Sequence, residues 1–325
     1  MKRFSIVLMI VVFVLITPLV AKGAKEVVPA NVVRMAVMQG PSGFGVAGLA
    51  KDDGNIDNGI TLDIEVFPSP NEVIARLANG ELDIAALPTN VAANLFNKGV
   101  GVKLAAVTGE GMLMLLTTDH SITELEHLYN RNIAIPGAGG TPDQLTQILI
   151  AALGYQVDED IFLDYGVAAP AQLAQMLIAN RVDLAVLPEP FVTMVLNSNE
   201  KAVPLMDVQQ LWSALTGTTN YPMTVIVVSD KFAQEHSADL PVVMNAIKES
   251  ITWVTTHPQD AGVVIEQLGI MNAAMATPAI PRCNLVFRTA KEAFDAVDVY
   301  YKVLYGFDYT SIGSEVPDAS FYLSY

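Results

Sequence analysis

Pro70-Asn71-Glu72-Val73-Ile74-Ala75-Arg76-Leu77, continued by Asp83-Ile84-Ala85-Ala86-Leu87-Pro88, occurs a second time in this chain, displaced by 100 positions without a gap. The second copy reads Pro170-Ala171-Gln172-Leu173-Ala174-Gln175-Met176-Leu177, then Asp183-Leu184-Ala185-Val186-Leu187-Pro188. The prolines, the helix-ending leucines, the aspartates, Ala85/Ala185 and Leu87/Leu187 are identical, and most other apolar positions stay apolar. Each copy reads as a helix, a turn, an aspartate and a short buried strand closed by proline. One such unit in each of two lobes leaves a cleft between them, a favoured place to hold a small molecule.

Working outward, Val32–Met38 reads as a strand ending in Gln39-Gly40-Pro41-Ser42-Gly43-Phe44-Gly45, and Thr61–Phe67 as the next strand. The second half repeats the plan: a strand at Asn132–Ile135, the loop Pro136–Pro142, a helix Asp143–Leu153 and a strand Ile161–Tyr165. Strands alternating with helices indicate an α/β chain with mostly parallel sheets. Val102–Val107 and Leu113–Thr118 are expected to carry the chain out of the first lobe, and Thr224–Val228 to return it. Residues 30–117 with 223–325 then form lobe one and residues 118–222 lobe two, with crossovers near Thr117–Asp119 and Pro222–Thr224. From Ser229 on the pattern is mostly helical, and the tail Ser314–Tyr325 is expected to lie extended over lobe one.

The chain has 325 residues, enough for two lobes, and 52% hydrophobic against 16% charged residues supplies ample core. A net charge of −16 argues against nucleic acid, whose phosphates need Lys and Arg. Residues 1–24 read as a secretory signal peptide: Lys2 and Arg3, an apolar run from Phe4 to Ile16, and small residues at Ala21, Gly23 and Ala24. The run is shorter than the roughly 20 residues of a membrane span. Cys283 is the only cysteine, so there is neither an intrachain disulfide nor a cysteine after the apolar run to accept lipid. A periplasmic protein, with its signal cleaved and without lipid, is expected.

Ligands of open α/β sheets sit beyond the carboxyl ends of the strands. That rule selects Gln39, Ser42, Asn90, Gly139, Thr141 and Glu189 as polar candidates, with Phe67 and Tyr221 as aromatic walls. Gly137-Ala138-Gly139-Gly140-Thr141, between strand and helix, offers backbone N–H groups to a polar or anionic ligand. It matches a dinucleotide fingerprint incompletely, and no Walker lysine follows. These loops hold no Lys or Arg, so a sulfonate-like monoanion, or a neutral or weakly cationic organic compound, is the expected ligand. No catalytic triad order and no metal-ligand spacing stands out; neither catalytic residues, metal nor cofactor is expected.

Leu77-Ala78-Asn79-Gly80-Glu81-Leu82-Asp83-Ile84-Ala85 and Asp183-Leu184-Ala185-Val186-Leu187-Pro188-Glu189-Pro190-Phe191 are joined by Val227–Phe232 and by Trp253–Ala261. Through these segments the chain resembles the substrate-binding proteins of ABC importers of the nitrate/sulfonate/taurine type, a group that includes thiamine-precursor binders. The resemblance covers residues 32–270 or so. It implies a type II periplasmic-binding-protein fold, two α/β lobes of mostly parallel sheet flanked by helices, closing on a ligand in the cleft between them. It also implies a monomer that delivers its solute to an ABC permease. Some relatives of this fold are enzymes, so an exported enzyme or a ligand sensor is the alternative.

Overall fold

The residues of Ile84–Leu87 and Leu184–Leu187 are apolar without exception and buried, so neither segment can lie at a wet sheet edge. In the computed structural model, which describes residues 32–325, both are interior strands. The expected signal peptide, residues 1–24, lies outside the described residues. Among the described residues twelve strands form two sheets: β1 (Val32–Met38), β2 (Asn55–Ile56), β3 (Ile60–Phe67), β4 (Ile84–Pro88), β5 (Val102–Glu110), β6 (Leu113–Thr117), β7 (Asn132–Ala134), β8 (Phe162–Asp164), β9 (Leu184–Pro188), β10 (Val203–Asp207), β11 (Pro222–Ser229) and β12 (Leu285–Thr289). The first sheet has the order β12-β5-β11-β4-β1-β3-β2, and the second β10-β6-β9-β7-β8.

The duplication read in the sequence extends to topology. In the first sheet β1 pairs in parallel with both β3 and β4, while β11 runs antiparallel to β4 and β5. In the second, β7 pairs in parallel with β8 and β9, while β6 runs antiparallel to β9 and β10. The strands β1, β3, β4, β11 and β5 thus match β7, β8, β9, β6 and β10 one for one. In each half, the repeated aspartate stands just before the interior strand. Its carbonyl accepts the N–H of the antiparallel neighbour, Ser229 to Asp83 and Thr118 to Asp183.

Two expectations need correction here. Leu113–Thr117 was expected to belong to lobe one, but it is a member of the second sheet, paired with β9 and β10. The chain leaves the first sheet after Glu110 and crosses at Gly111-Met112, ahead of the expected crossover at Thr117–Asp119. The reason is the glycine. A β-carbon on Gly111 would lie 2.6 Å from the Tyr221 ring, so only glycine lets the first crossover pass the start of the second. The strands β10 and β12 were not read from the sequence; β10 is short with no fully buried residue, and β12 is only half-buried. The tail is tied to lobe one as expected. Leu323 N–H bonds to the Leu104 carbonyl, and Phe321 is buried.

Asp83 makes a two-pronged ion pair with Arg34 of β1 in the first sheet. Its carboxylate accepts Arg34 Nε (2.9 Å), Arg34 Nη2 (2.7 Å) and the Arg34 backbone N–H (2.9 Å). Burial by itself would push this carboxyl up. The hydrogen bonds and charge of Arg34 together outweigh it and hold the group below the usual carboxylate range. A group with a depressed folded-state pKa contributes stability above its unfolded value, near pH 4, and loses it as pH falls through the folded value. Melting curves should therefore show acid loss beginning below about pH 4, and Asp83→Asn, with no charge to lose, should show a shallower decline. Equal acid slopes in the two proteins would refute this.

Candidate ligand-binding site

Four strands that run toward the gap between the sheets end at proline. Pro88 and Pro188 are the last residues of β4 and β9, Pro68 follows β3, and Pro136 stands two residues beyond β7. The helices that begin across this gap start with proline too: Pro41, Pro70, Pro142 and Pro170 each occupy the first turn. Proline is pre-organised for a helix start but carries no N–H. These loops surround a cavity of about 430 Å³ built by both sheets, within the size range of small-molecule sites. A larger groove of about 550 Å³ beside Lys51 and Trp253 is open and formed by the first lobe alone.

Of the residues expected at the site, Gln39, Ser42, Gly139 and Thr141 line this cavity. Gln39 is exposed toward it. The Ser42 hydroxyl turns back to its own loop, accepting from Met38 N–H at 3.0 Å and donating to the Met38 carbonyl at 3.2 Å. The remaining four lie outside the cavity wall. Phe67 is buried under the Arg76 guanidinium, 5.3 Å from its ring centre. Tyr221 is fully buried, edge-on to Trp212 at 5.7 Å. The two aromatic walls are therefore core residues, because large rings at strand ends find more apolar surface in the sheet than in the gap.

Asn90 and Glu189 tie the lobes together. Asn90 Nδ2 donates to the Gly139 carbonyl at 2.8 Å, and Thr141 Oγ1 donates to Asn90 Oδ1 at 3.3 Å. Asn90 and Thr141 are both 1% exposed. Tyr300 OH donates to Thr141 Oγ1 at 3.4 Å. Glu189 is 4% exposed and accepts the Thr193 N–H at 2.9 Å, holding the start of the helix Phe191–Ser198. Its other oxygen pairs with Arg282 Nε of the first lobe at 2.7 Å. Arg282, remote in sequence from every strand-end loop, carries no local signal that would have linked it to Glu189.

The glycine loop is likewise occupied. The Gly139 N–H donates to Asp143 Oδ2 at 2.7 Å, and the Gly140 N–H to the Gly137 carbonyl. Asp143 also receives Gln147 Nε2 and Tyr165 OH, both at 2.7 Å. A carboxylate of the protein thus takes the amide an anionic ligand would use. The cavity wall contains apolar residues that the sequence reading passed over: Met38, Ile74, Val91, Met112, Phe191 and Met223. Ile74 and Val91 stand at helical spacing that reads as core, and the methionines sit where only polar residues were sought.

At the crossovers Glu110, buried, accepts Asn220 Nδ2 at 2.5 Å and Arg288 Nη1 at 2.8 Å, and Asn284 Nδ2 donates to the Gly111 carbonyl at 3.1 Å. Both connections between the sheets are thereby fastened at one point.

Two α/β sheets of matching topology, two crossovers and a cavity at the strand ends define the periplasmic-binding-protein fold. Solved structures agree. An ABC transporter protein from Parabacteroides distasonis is 27% identical, covers 90% of this chain and 99% of its own, and superposes with a TM-score of 0.76. The periplasmic aliphatic sulphonate binding protein SsuA of Escherichia coli is 13% identical over 91% of this chain and 92% of its own, at a TM-score of 0.71. The alkanesulfonate-binding protein SsuA of Xanthomonas axonopodis pv. citri, bound to MOPS, is 14% identical over 89% and 95%, at 0.67. At these lower identities the likeness is one of fold. A comparison with curated proteins gives no match. The model of the NMT1-like family matches residues 46–269, and the chain belongs to that family.

Proposed function

We propose that this chain is the extracytoplasmic solute-binding protein of an ABC importer. It captures one small organic molecule between its lobes and presents the closed form to a membrane permease. The observation that carries this is the cavity of about 430 Å³ built jointly by the strand ends of both sheets, in a chain of this family. The direct contacts Asn90–Gly139 and Glu189–Arg282 span the two lobes and suit a closed clamp. The crossovers at Gly111-Met112 and before β11 serve as the hinge, with Glu110 as its fastening. Residues 1–24 direct export and are removed, and the protein acts as a monomer without lipid. Binding, not turnover, is its task.

The relatives named for sulfonates raise the sulfonate reading for this chain, but among the described residues no Lys, Arg or His that would favour it lines the cavity. The test is native mass spectrometry of protein purified from its source cells. A mass excess of one small solute, lost on denaturation and restored to stripped protein with a rise in melting midpoint, is expected. Equal native and denatured masses, with no midpoint change on adding the small-molecule fraction of the cells, would overturn the reading.

A further inference from the structure

From the wall of the cavity we infer that the ligand is an uncharged, mainly apolar organic molecule with one short polar end, and that the site disfavours sulfonates and other anions. This rests on the solute-binding reading and specifies its substrate class. Among the described residues, no Lys, Arg, His, Asp or Glu lines the cavity. An anion entering it would give up its water for backbone N–H groups and neutral side chains, a large cost where the charge is left unpaired. The strand-end and helix-start prolines have already removed N–H donors from that surface.

Four of the remaining donors, those of the glycine loop and of Ser42, are engaged within the protein. Gly139 N–H is held by Asp143, Gly140 N–H by the Gly137 carbonyl, the Thr141 hydroxyl by Asn90 and the Ser42 hydroxyl by Met38. The Asp143 carboxylate behind the glycine loop would in addition repel an anion placed there. What faces the space is Met38, Ile74, Val91, Met112, Phe191 and Met223. Flexible methionines adapt to an apolar guest of irregular shape. Polar groups gather at one side, where Gln39 and Asn71 are exposed and Ser69 is partly so, which fits a hydroxyl, amide or ether terminus.

The experiment uses the neutral dye N-phenyl-1-naphthylamine as a fluorescent reporter on solute-stripped protein. Its displacement is measured with matched pairs: 1-hexanol against hexanesulfonate, and 1-octanol against octanesulfonate. The alcohols should compete at least about tenfold better than their sulfonates. Affinity should rise roughly fourfold per methylene, the factor given by about 0.8 kcal/mol per buried CH₂, and change little with salt. Ile74→Arg, which places a cation on the wall, should reverse the order within each pair.

Tighter binding of the sulfonates by the parent protein would overturn the inference. An unchanged order in Ile74→Arg would show that the probes bind elsewhere, with the same consequence. If the probes fail while native mass spectrometry finds a retained charged solute, the apolar class falls and the solute-binding reading stands. If neither a probe nor a retained solute is found, both fall.

Discussion

Gly111→Val should be the most damaging single substitution at the crossovers, lowering the unfolding free energy by about 3 kcal/mol or more, with Gly111→Ala costing about 2 kcal/mol. A β-carbon at this position would lie 2.2 Å from Gln209 Oε1 and 2.6 and 2.9 Å from two atoms of the Tyr221 ring. The glutamine end can swing aside. The ring cannot, because Tyr221 is fully buried and set against Trp212, which in turn meets Tyr300 at 5.7 Å. Gly111 is not among the residues with positive φ, so the objection to a side chain is space and not backbone conformation. This allows a sharp control. Tyr221→Ala is itself destabilising, but it opens the space a small side chain at 111 needs. The double variant Gly111→Ala/Tyr221→Ala should be more stable than the sum of the two losses predicts, by about 1 kcal/mol or more. Urea denaturation of the four proteins measures it. Strict additivity would show that the ring is not what excludes the side chain.

Glu189→Ala should cost about 1–3 kcal/mol, chiefly through the buried Thr193 N–H that it leaves without an acceptor. The ion pair with Arg282 adds less, because Arg282 is 46% exposed and keeps much of its hydration when its partner is lost. Glu189→Gln, which keeps an oxygen to accept the Thr193 N–H and gives up only the charge, should therefore be the milder change, costing about 1 kcal/mol or less, and the loss in Glu189→Ala should vary little with salt. Thermal melts of both variants in low and high salt decide the matter. A loss from Glu189→Gln as large as that from Glu189→Ala would make the interlobe pair, and not the helix start, the principal role of Glu189. The same geometry tells against Glu189 as the partner of a cationic solute, since both of its oxygens are engaged within the protein.

The sequence by itself determined the two-lobed α/β plan and the strand ends as the place of the cleft. The repeat at a spacing of 100 residues did this, because all-apolar strands such as Ile84–Leu87 and Leu184–Leu187 must be interior wherever they lie. It also located Gln39, Ser42, Gly139 and Thr141 on the cavity wall, since the loop after a strand is fixed by the strand itself. Tertiary structure alone decided which sheet Leu113–Thr117 joins, because an apolar strand carries no mark of its partner and only the clearance at Gly111 sets the crossing point. It alone decided that Phe67 and Tyr221 turn inward, and that Asn90 and Glu189 are consumed by Gly139, Thr193 and Arg282. A polar side chain in a strand-end loop reads the same whether it awaits a ligand or is bonded within the protein. Its partners here, Arg282 and the Gly139 carbonyl, lie 93 and 49 residues away along the chain, a distance across which no local pattern reports.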